Sequence, residues 1–383
     1  MRARKLRLRP TQEQKKLLHE WAGCVRYTYN RAIEVLNNPK EDKKTCFAIR
    51  DRFVTVTSRK GMTNTFFLNK PWLSECPKAI RKGAVDDAIT AYKAAHSNLR
   101  NGNIQHFQLR FRSKKTRSWS MTLEKANVKK DGDSLKVFPK LLGNMRYYST
   151  KQLHKLMSGQ RPDMDCKIQR DRYGDFFLVL PSKVQVQSTP RQAGIVSIDP
   201  GIRKFLTLYS PDQQTATLIG SRFMDVLMPL LQQADTACGR MIQSSGKARD
   251  KWKRRLNVLR KRIHNLKTEL VYQSAAFIAQ NHSLVLMPKL PTTILAARPT
   301  TTKWLARELY NSRHCHLFEH LRQVCLHRGV QFLEVGEDYT SQTCHRCGHL
   351  HKTDQETRTC PSCHYEGDRD VIAALNILLK AIR

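Results

Sequence analysis

The chain has 383 residues, and its 68 Lys and Arg against 32 Asp and Glu give a formal net charge of +36. A folded protein with that excess repels itself unless a polyanion screens it, so nucleic acid is the expected partner and an anionic membrane surface the rival. No apolar run approaches the roughly 20 residues of a membrane span, and residues 1–9 lack the apolar core of a signal peptide. An intracellular protein is therefore expected, nuclear in a eukaryotic host and in the nucleoid or cytoplasm of a prokaryotic one.

In chain order, residues 2–9 alternate Leu6 and Leu8 with Arg7 and Arg9 and read as a short basic strand that Pro10 stops. Thr11-Gln12-Glu13-Gln14 is a capping-box pattern. It opens a helix on which Leu18, Trp21, Val25 and Tyr29 form a core stripe, with Arg26 and Arg31 on its flanks for phosphate. A second helix runs from about Pro77 to Leu99, its stripe Val85, Ala88, Tyr92, Ala95 and Leu99; residues 40–75 give no clear pattern. From Gln105 the period changes. Phe107, Leu109 and Phe111 alternate with polar residues ahead of a basic cluster at Arg112, Lys114 and Lys115. Strands are also expected near 119–123, 134–139, 166–170 and 175–180. These segments suggest a small, partly open β-barrel that the N-terminal strand joins, with aromatic and basic residues interleaved as nucleic-acid contacts require.

Thr189-Pro190-Arg191 reads as a boundary. A buried strand then ends at Asp199-Pro200-Gly201, and a second strand returns from Phe205 to Tyr209. A carboxylate fixed at a strand end beside a turn is a place to hold a divalent metal, and it is also an ordinary turn former. Residues 247–262 carry nine Lys or Arg against one acid, Asp250. Lys251, Lys253, Arg254, Arg255, Arg260, Lys261 and Arg262 are expected to meet phosphates, on a helix whose seam is Leu256, Leu259, Ile263, Leu266 and Leu270. A strand at 282–290, a helix from Thr302 to about Arg328 and a strand at 330–335 follow.

Cys344 and Cys347, then twelve residues, then Cys360 and Cys363 supply four thiolates at the spacing of a structural zinc ribbon. The other seven cysteines (Cys24, Cys46, Cys76, Cys166, Cys238, Cys315, Cys325) lack ligand spacing and read as reduced, buried or bystander thiols. An Ala-rich helix opens directly after the ribbon, behind a candidate catalytic aspartate.

The order Asp199-Pro-Gly, Tyr339-Thr-Ser-Gln-Thr-Cys344-x-x-Cys347-Gly, Cys360-x-x-Cys363 and Asp368-Arg-Asp370-x-x-Ala-Ala-Leu-Asn resembles the TnpB (transposon OrfB) family, relatives of the type V CRISPR effectors. Arg26-Tyr-x-Tyr-Asn30 and Phe111-Arg-Ser-Lys-Lys extend the resemblance toward the N-terminus. It implies a multidomain α+β and α/β chain. A wedge-like β-barrel would occupy 1–10 and 104–189, and a helical nucleic-acid recognition domain 11–103. A RuvC-like, ribonuclease-H-type nuclease fold would occupy 190–338 and 367–383, and the zinc ribbon 339–366. It further implies a monomeric, magnesium-dependent DNA endonuclease that takes a guide RNA to its target DNA and cuts at three carboxylates. Asp199 would be the first and Asp370 the last, with Ile372 standing where the family has Asn.

The middle acid departs from the family pattern. The strand that carries it in most members reads Leu284-Val-Leu-Met287-Pro288-Lys289 here. Either the site is dead or the acid has moved. The Fanzor-like branch carries a Glu three residues ahead of the ribbon's Thr-Ser, and Glu337 holds that position, with Asp338 and Glu334 as fallbacks. Two other functions stay open: a nuclease-dead, RNA-guided DNA binder, and a strand-transfer transposase. The second lacks a His pair with a nearby Tyr nucleophile, since His314-Cys-His316 reads as core or surface of a helix.

Overall fold

The computed structural model describes residues 2–42, 44–57, 61, 63–183, 186, 194–202, 204–299, 301–353 and 355–382. The chain divides into two compact units, Met1–Val184 and Gln185–Arg383. The boundary read at Thr189-Pro190-Arg191 lies outside the described residues.

In the first unit β1 (Arg2–Leu8) leads into α1 (Gln12–Asn37), α2 (Cys46–Phe53), α3 (Thr65–Leu68), α4 (Pro71–Glu75) and α5 (Lys78–Arg100). Then come β2 (Trp119–Leu123), β3 (Val128–Asp131), β4 (Ser134–Val137), α6 (Thr150–Leu156), β5 (Cys166–Arg170) and β6 (Phe176–Ser182). The expected open barrel takes the form of an antiparallel sheet in the order β1-β6-β5-β2, with β3 and β4 as a separate ribbon. The N-terminal strand joins it through β6, so the helices are an insertion between strands. The capping box forms as written: Thr11 Oγ1 accepts from the Gln14 N–H at 3.2 Å, and Gln14 Oε1 from the Thr11 N–H at 2.9 Å. Leu18, Trp21, Val25 and Tyr29 are all buried.

The strand expected at 107–111 does not form, because two side chains satisfy its backbone in place of a neighbouring strand. The Asn37 amide donates to the Leu109 carbonyl at 2.8 Å and accepts from the Leu109 N–H at 3.1 Å. The Asn30 amide does the same for Arg112 at 3.1 and 2.8 Å. Each primary amide supplies one donor and one acceptor, as a peptide group does, so the segment lies extended along α1.

The second unit runs β7 (Ile195–Pro200), β8 (Leu206–Ser210), β9 (Thr215–Ile219), α7 (Phe223–Gln243), α8 (Gly246–Asn281), β10 (Leu284–Met287) and α9 (Thr292–Ala297). It continues with α10 (Lys303–Ser312), α11 (His314–Arg328), β11 (Gln331–Glu334), β12 (Thr357–Thr359), β13 (Glu366–Asp368) and α12 (Arg369–Ala381). Its sheet has the order β11-β10-β7-β8-β9; the first three strands are parallel and the last two antiparallel. The single helix expected from Thr302 to Arg328 is two, because Arg313 adopts left-handed backbone angles (φ 61°, ψ 27°) that no helix continues through. Helix α7 escaped the sequence reading, although Leu227, Leu230, Leu231, Ala234 and Ala237 bury one face of it against Leu256, Leu259 and Ile263 of α8.

Strand alternation sorts the two faces of this sheet. Val196 and Ile198 point into a core with Val271, Ala275 and Ile278 of α8 and Leu317, Phe318 and Leu321 of α11. Ser197 points the other way, where its hydroxyl donates to the Ala374 carbonyl of α12 at 2.7 Å. Asp199, two residues on, therefore shares the α12 face.

Replacing Asn37 by Ala removes both bonds to Leu109. The expected result is a loss of about 1–2 kcal/mol in urea unfolding, together with faster proteolysis within 105–113.

Candidate active site

Three parallel strands end at one edge of the second sheet, and such an edge is where open α/β sheets take their ligands. Asp199 ends β7. Met287 ends β10, 1 % exposed and paired with Glu334 of β11. Glu334 is exposed. The chain keeps pairing for one more residue, the Val335 N–H donating to the Met287 carbonyl at 3.3 Å, and then turns. In that turn the Thr340 N–H and hydroxyl both donate to the Glu337 carbonyl, at 3.2 and 2.9 Å.

The loop after Asp199 is tight. A Cβ on Gly201 would lie 2.6 Å from the Lys204 carbonyl oxygen, so only glycine fits there. His314 secures the same loop. Its Nε2 donates to the Gly201 carbonyl at 2.8 Å, and its ring stacks on Phe205 with centroids 4.9 Å apart. Burial holds this imidazole down to about 4, so it is neutral, committed to a loop carbonyl and unsuited to pair with His316.

Helix α12 brings the last acids. Asp368 is its N-cap, Oδ1 accepting from the N–H groups of Asp370 and Val371 at 2.9 and 3.2 Å. Its Oδ2 lies 2.7 Å from Lys204 Nζ, which is also 3.4 Å from Asp370 Oδ2. Asp370 sits in the first turn and is half-buried. Ile372, where the family pattern has Asn, is a core residue at 3 % exposure. Asn376, a motif residue to which sequence reasoning gave no role, is buried, and its amide donates to the carbonyls of Thr340 and Thr343 at 2.8 and 2.7 Å. One side chain thus ties the helix of Asp370 to the turn of Glu337.

Electrostatics links the three acids. Burial first, then the charges of Asp370 and Glu337, push the Asp199 carboxyl up to about 7, against an opposing pull from Arg369. Burial and the neighbouring Asp338 raise Glu337 as well, with Arg298 opposing. Burial works against the charge of Lys204, but the Asp368 hydrogen bond and the Asp370 charge prevail and leave its ammonium raised. Asp370 and Glu337 are near enough to repel charge on Asp199, yet the three stand apart. Among the described residues the only group of three or more possible metal ligands within 4.8 Å of one another is Cys344, Cys347, Cys360 and Cys363.

Those four sulfurs fit zinc. Cys344 and Cys363 are 3.6 Å apart, as are Cys347 and Cys360, close to the roughly 3.8 Å edge of a tetrahedron with zinc–sulfur bonds of about 2.3 Å. Backbone N–H groups of Cys363 and Ser362 help pull the Cys360 thiol down to about 6, toward the thiolate that a metal needs. Beneath the ribbon, Arg358 is 2 % exposed and donates to the carbonyls of Ser341 and Thr343 at 3.1 Å each. Strand β13 runs from the ribbon directly into Asp368 and α12.

The chain matches known proteins along most of its length. A family model described as Cas12f1-like, TNB domain, matches residues 314–377. A helix-turn-helix model of the OrfB/IS605 type matches residues 1–41, which here form a strand and one long helix. A putative transposase of Paramecium bursaria Chlorella virus 1 is 30% identical over 99% of this chain and 87% of its own length. A TnpB-like protein of Acanthamoeba polyphaga mimivirus is 24% identical over 98% of this chain and 72% of its own. The chain belongs to the TnpB family. Another relative, named putative RNA-guided DNA endonuclease InsQ, from Escherichia coli, is 24% identical over 99% of this chain and 92% of its own. In fold, this TnpB chain resembles a protein solved by cryo-EM as the Cas12f1-sgRNA-target DNA complex, with a TM-score of 0.56 at 14% identity over 96% of this chain and 83% of that one.

The basic residues singled out in this TnpB chain fall in two places. In the first unit, Arg26, Arg112 and Lys114 line a cleft of about 580 Å³ with Trp119 and two arginines that sequence reasoning missed, Arg117 and Arg170. Arg112 is braced inside it, 3.1 Å from Asp87 and over the Tyr29 ring at 3.8 Å. Lys115 is exposed nearby. In the second unit, Lys251, Arg254, Arg255, Arg260 and Arg262 are exposed along α8, with Lys253 and Lys261 half-buried. No described helix is long and apolar enough to cross a membrane.

Two outcomes follow from this geometry. Asp199 titrates from an ordinary value of 3.8 to about 7 in the fold, so between about pH 4 and 7 the folded chain holds a proton that the unfolded chain has released. Metal-free stability therefore falls as pH rises through that window. Asp199→Asn should melt several degrees above wild type at pH 8 in chelator, with the gap closing toward pH 4. Cys360→Ser should lose most of one bound zinc per chain by elemental analysis and lower the melting temperature, because the ribbon fixes the start of α12.

Proposed function

We propose that this chain is a magnesium-dependent, RNA-guided DNA endonuclease whose single active site is Asp199, Glu337 and Asp370. The observation that carries the reading is the crowding of negative charge on Asp199 by Asp370 and Glu337 at the carboxyl edge of three parallel strands, in a TnpB chain. All three donors are hard carboxylate oxygens, the set magnesium takes, and the repulsion that Asp370 and Glu337 exert on Asp199 is what a divalent cation would relieve. When bound, such ions supply an activated water and stabilise the leaving oxygen of the phosphodiester. The chain's part is to hold the acids: β7 and the His314-secured loop hold Asp199, the Thr340 turn and Asn376 hold Glu337, and the capped first turn of α12 holds Asp370. Glu337 replaces the acid missing at Met287, reaching the site from one strand further along the sheet.

Structural zinc in the four-cysteine ribbon and a guide RNA complete the assignment. Base pairing between guide and target reads sequence, while basic protein surfaces hold backbone shape. The cleft around Arg26 and Lys114 and the exposed arginines of α8 suit that role. A strand-transfer transposase is less well supported, since His314 is buried and bonded to a loop carbonyl.

The test is cleavage by protein co-expressed with RNA from its own flanking locus, on a target library with randomised flanks and magnesium. Wild type should cut. Asp199→Ala and Glu337→Ala should lose at least about a hundredfold in rate and keep RNA and target binding. Cutting by Glu337→Ala would remove that residue from the site. Guided binding without cutting by wild type would establish a nuclease-dead binder, with Met287 marking the loss.

A further inference from the structure

Lys204 lies five residues beyond Asp199, at the end of the tight loop between β7 and β8. Its side chain is 16% exposed, and its ammonium sits 2.7 Å from Asp368 Oδ2 and 3.4 Å from Asp370 Oδ2. Little of this placement is free to drift. The loop closes so tightly on the Lys204 carbonyl that Gly201 has no room for a side chain, and the next residue, Phe205, stacks on the buried His314. Asp368 is equally fixed, because its other oxygen caps α12. The remaining oxygen of Asp370 faces another cation, Arg369, at 3.5 Å. Lys204 thus brings a compact point charge with three donors to an oxygen of the one acid on α12 that is not spent on capping.

We propose that Lys204 is a positioning residue of the carboxylate site and its resident counter-ion. It is anchored by Asp368, holds the Asp370 carboxylate in place, and gives up Asp370 Oδ2 when a divalent cation takes that oxygen. The two aspartates then have separate tasks: Asp368 caps the helix and tethers the lysine, and Asp370 is shared between lysine and metal. The affinity of the site for divalent cations is set by this competition as well as by the number of acids. The inference rests on the reading of Asp199, Glu337 and Asp370 as divalent-cation ligands.

The experiment is a titration of the full-length chain, zinc-loaded and free of other divalent cations, with manganese(II), without nucleic acid, following free manganese by electron paramagnetic resonance and melting temperature in parallel. Lys204→Gln removes the charge and keeps a hydrogen bond to Asp368; it should bind manganese at least about fivefold tighter, the lower end of ordinary coupling between sites. Lys204→Arg keeps the charge and should bind as wild type does. Asp368→Asn keeps a capping oxygen but releases the lysine onto Asp370; it should bind several-fold weaker, and adding Lys204→Gln to it should reverse the loss. A merely structural role would loosen α12 in both single variants and shift them the same way. Unchanged or weaker binding by Lys204→Gln at an unchanged melting temperature would overturn the proposal, as would failure of the double variant to recover. If wild type shows no manganese binding that Asp199→Ala abolishes, the ligand reading itself falls and takes the role of Lys204 with it.

Discussion

A carboxylate held among other carboxylates at the end of a buried strand is unfavourable, and much of the second unit is arranged to keep Asp199 in that position. The strand is fixed from both faces. Val196 and Ile198 are locked into the core beneath the sheet, and Ser197 bonds the opposite helix through the Ala374 carbonyl. The loop beyond Asp199 cannot relax, because Gly201 is packed against its own backbone and His314 grips its carbonyl. The other acids are delivered by elements that are themselves tied together, α12 to the Glu337 turn by Asn376. Strain of this kind at functional sites is offset by the packing around it.

The zinc ribbon belongs to the same arrangement. Its second strand passes without a linker into Asp368, and its buried arginine holds the carbonyls of Ser341 and Thr343, the latter shared with Asn376. Four thiolates thereby gather a short segment that has little apolar core of its own, and a metal held there would compensate for its size as in small metal modules. The first unit meets a different demand. Its cleft gathers cations around Trp119 with few acids to neutralise them, and Asp87 braces Arg112 without cancelling the rest.

Most of the architecture was legible where one signal dominated. The stripe of α1, the capping box, the four thiolates and the aspartates of the motifs appear where the pattern put them, whereas α5 buries only Val85 and Ala88 of its expected stripe and leaves Tyr92, Ala95 and Leu99 half-buried. The misses have distinct physical causes. Phe107 to Phe111 has a strand's alternation, but alternation does not say what pairs with the backbone, and distant Asn30 and Asn37 supplied the partners. The break between α10 and α11 rests on the backbone angles of Arg313, a residue that carries no glycine or proline warning. The place of Glu337 came from resemblance alone, since no local pattern tells a strand-end acid from an exposed one such as Glu334. Lys204 left no signal among 68 basic residues; only its distance from Asp368 sets it apart.

Helix α8 has a mechanical consequence. Its 36 residues are continuous, about 54 Å of rod at 1.5 Å per residue, and the two halves are cemented into different cores. Leu256, Leu259 and Ile263 pack with α7, whereas Val271, Ala275 and Ile278 lie under the sheet. The arginine-bearing half therefore acts as the outer arm of a lever whose inner arm ends at His282, two residues before β10. A load placed on the α7–α8 hairpin would be carried along the rod to the back of the central strands, opposite the acids.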